Sequence, residues 1–192
     1  MGWDIAGAQV LITGGTSGIG QAAAAELARR GAEVTITARD EAKGRAAAET
    51  IRAGSGVDVQ VGLLDLSRLD SVRGFAADYR RTHDRLDVLV NNAGTMTGRR
   101  METPDGLEWT FGVNHLAPFL LTHGLLPRLL ETPGARIVNV ASEAHKFARF
   151  ALDDLQPPRV MRGDLFQRRQ AARVALDDDD FAGTVHQQRS RQ

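Results

Sequence analysis

The sequence predicts an α/β fold built on a doubly wound parallel sheet. Three observations predict it. Short apolar or β-branched runs alternate with helical stretches through about the first 140 residues. Each candidate ligand residue falls just after the end of one of those runs. A glycine-rich string, Thr13-Gly14-Gly15-Thr16-Ser17-Gly18-Ile19-Gly20, joins the first run to the first helix.

The elements follow in order. Residues 10–13 read as a buried strand. Residues 21–30 are Ala-rich and helical, with Gly31 as the stop. Residues 33–38, EVTITA, are rich in β-branched side chains and form a second strand. A helix over 40–53 ends at Gly54-Ser55-Gly56, and residues 57–64 form the third strand. Ser67 is placed to cap a third helix running to about His83. A fourth strand over 86–90 ends at Asn91-Asn92-Ala93-Gly94, and one long helix is expected from 104 or 105 to 130. Residues 136–141, RIVNVA, make the fifth strand. Continuous apolar strands separated by helices imply a parallel sheet covered on both faces, with right-handed crossovers. The expected strand order is 3-2-1-4-5, a Rossmann-type arrangement whose ligand lies outside the carboxyl ends of the strands.

The rhythm breaks near Leu155. This divides the chain into a dinucleotide-binding domain over 1–155 and an atypical tail over 156–192. The tail carries two prolines, an Arg cluster, four consecutive Asp and a Gln/Arg-rich end. A short helix is expected over 165–176 and a disordered segment over 177–192.

Composition narrows the function. The chain has 192 residues and equal numbers of basic and acidic side chains, 24 each. Zero net charge argues against a general attraction to nucleic acid or to an anionic membrane. There are no cysteines, so disulfides and thiolate metal sites are excluded. No signal peptide and no membrane-spanning stretch is visible, so the expected location is cytoplasmic. The five histidines, His83, His115, His123, His145 and His186, have no convincing metal-ligand spacing.

A strand that turns through glycines into a helix N-terminus builds an anion site. Backbone N–H groups point outward there and the helix dipole adds partial positive charge. Gly14, Gly18 and Gly20, with Thr16, Ser17 and Ile19 between them, are therefore expected to hold a pyrophosphate. Arg39 closes the second strand where a 2′-phosphate of NADP would lie. Asp40 follows directly and keeps a ribose contact with NAD open. Asp65 can accept from an adenine amino group, with the Leu66 backbone beside it. Asn91, Ala93 and Gly94 let a ring lie against the backbone. Asn114 sits inside a helix, where Asn is a poor former, so a buried hydrogen bond or a local kink is expected there. Ser142 follows the fifth strand, where a substrate carbonyl would lie.

Together these positions resemble the short-chain dehydrogenase/reductase family. The matching residues are Thr13-Gly14-x-x-x-Gly18-x-Gly20, Asp65, Asn91-Asn92-Ala93-Gly94, Asn114, and Ser142 after Arg136-Ile137-Val138-Asn139-Val140. Phe111-Gly112-Val113-Asn114-His115-Leu116, Ala141-Ser142-Glu143-Ala144-His145 and Asp154-Leu155-Gln156 look most like the retinol-dehydrogenase-like branch. The resemblance implies an NADP-preferring oxidoreductase acting on an alcohol or carbonyl substrate. It assigns Ser142 to polarising the carbonyl and Asn114 to organising a water in a proton relay. It also implies homo-oligomers, strands beyond the fifth, and a Tyr-x-x-x-Lys pair.

That pair does not occur in this sequence. The one tyrosine, Tyr79, precedes the fourth strand, and the two lysines are Lys43 and Lys146. A positioned general acid/base contributes about 10²–10⁴-fold to rate, or about 3–5 kcal/mol of barrier. Three readings stay open: an oxidoreductase with impaired turnover, a non-catalytic NADP-binding or interaction protein, and a fragment truncated or shifted in frame near residue 156. A Tyr-x-x-x-Lys segment in another frame of the gene would support the last reading, and its absence from both other frames would end it.

Overall fold

A computed structural model describes residues 4–142 of the chain. The expectations on residues 143–192, including His145, Lys146, His186 and the helix over 165–176, lie outside the described residues.

Five parallel strands form one sheet: β1 (Gln9–Ile12), β2 (Glu33–Ala38), β3 (Gln60–Leu63), β4 (Val88–Asn91) and β5 (Arg136–Asn139), in the order β3-β2-β1-β4-β5. This is the expected order. The helices are α1 (Gly18–Arg29), α2 (Glu41–Ser55), α3 (Leu69–Thr82), the short α4 (Trp109–Phe111) and α5 (Ala117–Glu131), with a π-turn, Gly112–Leu116, between the last two.

Alternation along the strands sends side chains to two separate cores. On one face Val10, Ile12, Ile36 and Val88 pack with Ala24 and Ala28 of α1 and Ala47 and Ile51 of α2. Alanines let these helices approach the sheet closely. On the other face Leu11 and Leu89 pack with Val72 and Ala76 of α3 and Leu121, Leu125 and Leu129 of α5. Each fully buried Leu or Ile contributes about 1.5–3 kcal/mol. No helix among the described residues is long and apolar enough to cross a membrane.

Several expectations on the elements need correction: α1 starts at Gly18 rather than 21, α2 runs through Gly54 to Ser55, and β4 starts at Val88 rather than 86. The long helix does not start at 104 or 105. Thr103 and Gly106 close a turn, and Gly106 has φ +74°, which an α-helix cannot accommodate. Glu108 then starts α4 by accepting from the N–H groups of Thr110 and Phe111 at 3.0 and 2.7 Å. Ser67 does not cap α3. Its N–H and hydroxyl both donate to Asp65 Oδ1, at 2.9 and 2.7 Å. The α3 N-terminus is served from a distant loop instead, the Leu69 N–H donating to Asp105 Oδ2 at 2.8 Å. The third strand is shorter than 57–64, because Gly56 ends α2 in the left-handed region and the Val57 N–H turns back to Ser55 Oγ. The fifth ends at Asn139 rather than 141.

Candidate functional site

The carboxyl ends of the strands form a crest, and the glycine-rich turn sits at its middle, after β1. Thr13, 1% exposed, locks this turn to the end of β4. Its hydroxyl donates to the Val90 carbonyl at 3.3 Å and accepts from the N–H groups of Asn92 and Ala93 at 3.0 and 3.1 Å. The Asn92 side-chain amide donates back to the carbonyls of Thr13 and Gly14, at 2.9 and 3.2 Å. The two loops therefore approach at backbone distance. A Cβ on Gly14 would lie 2.8 Å from Ala93 Cα, and one on Gly20 would lie 2.4 Å from Asn92 Nδ2 and 2.5 Å from the Gly14 carbonyl oxygen. A Cβ on Gly15 would lie 2.5 Å from Ile36 Cγ2.

Gly18 differs from these. Its φ is +56°, yet nothing lies within 4 Å of the position a Cβ would take. Ser17, Gly18 and Ile19 are exposed and Thr16 is half-buried, so the turn presents backbone outward. Ser17 is the N-cap of α1, its side chain makes no cap hydrogen bond, and no acidic residue occupies the first turn. The first N–H groups of a 12-residue helix are thus left for an anion. These residues fit a dinucleotide pyrophosphate in close approach, charge and donor set.

On the β2 side, Arg39 is exposed and has no ion-pair partner among the described residues. Asp40 is the N-cap of α2, its Oδ1 accepting from the Lys43 N–H at 2.8 Å. Asp65 is half-buried at the end of β3 and uses Oδ1 on Ser67, while its N–H donates to Ser71 Oγ at 3.0 Å. The Leu66 side chain is buried in the core.

On the β4 side, Asn91 is 7% exposed. Its Nδ2 donates to Asn139 Oδ1 at 2.9 Å and to Thr122 Oγ1 at 3.1 Å. Ala93 is half-buried against Gly14, and Gly94 is exposed. Asn114 lies in the π-turn, so the expected local departure from α-helix is present. Its amide forms a two-point clamp with Thr95: Oδ1 accepts from the Thr95 N–H at 2.8 Å, and Nδ2 donates to the Thr95 carbonyl at 2.7 Å. The clamp is exposed rather than buried. Ser142 is exposed just beyond β5.

The crest thus brings together every candidate cofactor residue, with Asn114 and Ser142 on the β4–β5 side. Tyr79 stays apart. It is 3% exposed on α3, stacked on His83 at 3.9 Å. Burial, with the nearby Asp87 carboxylate at the opposite end of β4, pushes its phenol above the usual range. Sequence reasoning gave no role to Thr13, Gly15, Asn92 or Thr95. Thr13 and Asn92 are visible inside their motifs. The need for Gly15 comes from Ile36, and the part of Thr95 from Asn114, contacts that only the fold creates.

This crest and this strand order define a nucleotide-binding α/β domain. The family model for short chain dehydrogenase matches residues 8–152, and the chain belongs to that family. It is similar to retinol dehydrogenase 12 of Mus musculus, 48% identical over 153 residues, covering 79% of this chain and 48% of the relative. The chain spans about half the length of the curated relatives it matches. A protein of Mycobacterium paratuberculosis, solved as a putative uncharacterized protein, superposes with TM-score 0.68 at 44% identity over 80% of this chain and 53% of that one. A metagenomic short-chain oxidoreductase solved in complex with NADP superposes with TM-score 0.66 at 35% identity, over 78% of this chain and 68% of that one.

Proposed function

We propose that the chain is an NADP-binding oxidoreductase of the short-chain dehydrogenase type acting on an alcohol or carbonyl substrate, its turnover impaired by the absence of a Tyr-x-x-x-Lys pair. The observation that carries this is the outward-facing turn at Ser17–Gly18–Ile19, which leads into a helix start with no acidic residue. The solved neighbour complexed with NADP supports the choice of cofactor. In this reading Gly14, Thr16, Ser17, Gly18, Ile19 and Gly20 hold the pyrophosphate. Arg39 receives the 2′-phosphate. Asp65 and the Leu66 backbone receive the adenine, and Asn91, Ala93 and Gly94 form the wall for the nicotinamide. NADPH, when bound, supplies the hydride. Ser142 donates a hydrogen bond to the substrate oxygen. Asn114 fixes the loop at Thr95, which borders the place for that substrate. Because Asp40 caps α2, Arg39 is the better placed of the two for the adenosine end.

Titration with NADPH, followed by fluorescence or calorimetry, tests this reading. Saturable binding is expected, and no binding at millimolar cofactor overturns it. Arg39→Ala should weaken NADPH binding about tenfold or more, the loss of a charge-assisted contact. NADH binding should be unchanged by that substitution.

A second reading is an NADP-binding protein with little or no turnover. Tyr79 favours it, since the sole tyrosine of the sequence is buried away from the crest. Hydride transfer to any member of a carbonyl panel above the rate in free solution would refute it. The homo-oligomer proposal draws support from exposed Phe119, Leu126 and Leu130 along the outer side of α5. Analytical sedimentation tests it, with a monomer at all concentrations counting against it.

A further inference from the structure

The candidate residues on the β4–β5 side come from three separate elements. Asn91 to Gly94 close β4, Ser142 follows β5, and Asn114 lies in the π-turn that feeds α5. One side chain bonds to two of those elements from the third. Asn91, on β4, donates to Asn139 Oδ1 on β5 at 2.9 Å and to Thr122 Oγ1 on α5 at 3.1 Å. Asn91 and Asn139 are register partners and continue the rows of Leu89 and Ile137, which face the core shared with α5. Below the crest these rows are apolar. At the crest they give way to three polar side chains that meet.

The backbone ladder does not make the same connection. Its last contact, the Val140 N–H to the Asn91 carbonyl at 3.0 Å, ties β5 to β4 but leaves α5 untouched. A buried amide N–H left without an acceptor is costly, so the Asn91 amide needs both partners where they stand. The cofactor's course over the sheet gives this junction its importance. With the pyrophosphate at the β1 turn and the adenosine over Arg39 and Asp65, the nicotinamide end runs to the opposite side, over β4 and β5.

We infer that Asn139 and Thr122 are positioning residues for the nicotinamide end of the site. Acting through the Asn91 amide, they fix the ends of β4, β5 and α5 relative to one another, and so hold Ser142 and Asn114 at their places around the cofactor. This rests on the NADP reading above.

The test uses the full chain, with NADPH as the whole cofactor and 2′,5′-ADP as a probe of the adenosine half alone. Asn139→Ala and Thr122→Val should each weaken NADPH binding about 3- to 10-fold, the loss of one part-buried hydrogen bond. Affinity for 2′,5′-ADP should stay within about twofold of wild type by the same measure. Asn139→Asp and Thr122→Ser keep an acceptor for Asn91 and should restore most of the NADPH affinity. If both ligands weaken by the same factor, together with a fall in Tm, the residues are merely structural and the inference fails. If wild type binds both ligands and the variants match it, the inference alone fails. If wild type binds neither, the cofactor reading itself is overturned.

Discussion

The two halves of the crest are built from different materials. Around β1 and β2 the fit is made by backbone and by missing side chains: Gly14 against Ala93, Gly15 against Ile36, Gly20 against the Gly14 carbonyl. Around β4, β5 and α5 it is made by side-chain amides and hydroxyls, Asn91 with Asn139 and Thr122, and Asn114 with Thr95. At Gly14, Gly15 and Gly20 the first half has no room for an added methyl group. The second has room but depends on polar groups staying paired. Thr13 and Asn92 join the halves, because their hydrogen bonds cross from one loop to the other. Sites assembled by close backbone approach fail by overpacking, and sites assembled by amides fail by loss of a partner.

Substitutions should separate the two kinds of failure. The largest effect is expected from Gly14→Val, which adds strain at φ +68° and drives a side chain into Ala93. Urea unfolding should show a loss of about 2–5 kcal/mol from these two sources. Next is Thr13→Val, which keeps shape but removes the hydroxyl that ties the β1 turn to the end of β4. It should cost about 1–3 kcal/mol, and NADPH affinity should fall with it if the halves are coupled as described. Asn114→Ala is expected to cost less, about 0.5–1.5 kcal/mol, since its two bonds are exposed. Its clearer signature should be faster proteolysis within residues 95–101, beyond what the accompanying fall of a few degrees in Tm explains. Equal cleavage rates in variant and wild type would show that the clamp does not hold this loop.

The smallest effect should come from a residue outside both halves. Glu26 on α1 has its carboxyl lowered from 4.5 to about 2 by hydrogen bonds from Arg29 and Arg30. A lowered folded-state value means the stabilisation is present above the unfolded value and is lost as pH falls from about 4.5 towards 2. Glu26→Gln should therefore be slightly less stable than wild type at neutral pH and indistinguishable near pH 2 in thermal unfolding. The carboxylate lies at the surface, its side chain 41% exposed, so the difference is small and shrinks with salt. NADPH affinity should not change.

Much of the first half was legible in the residues. Thr13-Gly14 through Gly20 after an apolar run names a strand, a turn and a helix start, and Arg39 follows at the end of the next strand. Such motifs are local in sequence, and glycine and β-branched preferences act locally, whereas the close approaches of Gly14 to Ala93 and Gly15 to Ile36 are made by the fold. The second half was legible only as positions. Asn114 stood out as a poor helix former, and it does sit where the α-helix gives way to a π-turn. Its partner Thr95 is 19 residues away and carries no mark in the sequence. Ser67 looked like the cap of α3, yet Asp105, 36 residues distant from Leu69, supplies that acceptor. Pro104, Asp105 and Gly106 looked like a helix start. The positive φ of Gly106 makes them a turn, and the helix begins at Trp109.

The sequence by itself determined the succession of strands and helices along the chain and the glycine turn, because periodicity, β-branching and glycine placement are properties of neighbouring residues. Tertiary structure alone decided which polar groups meet. The Asn91 amide reaches Thr122 across 31 residues and Asn139 across 48. The sole tyrosine is turned into the core, beside His83 and away from the crest. Hydrogen-bond partners are set by where packed helices and paired strands bring their ends, and no local pattern encodes that distance.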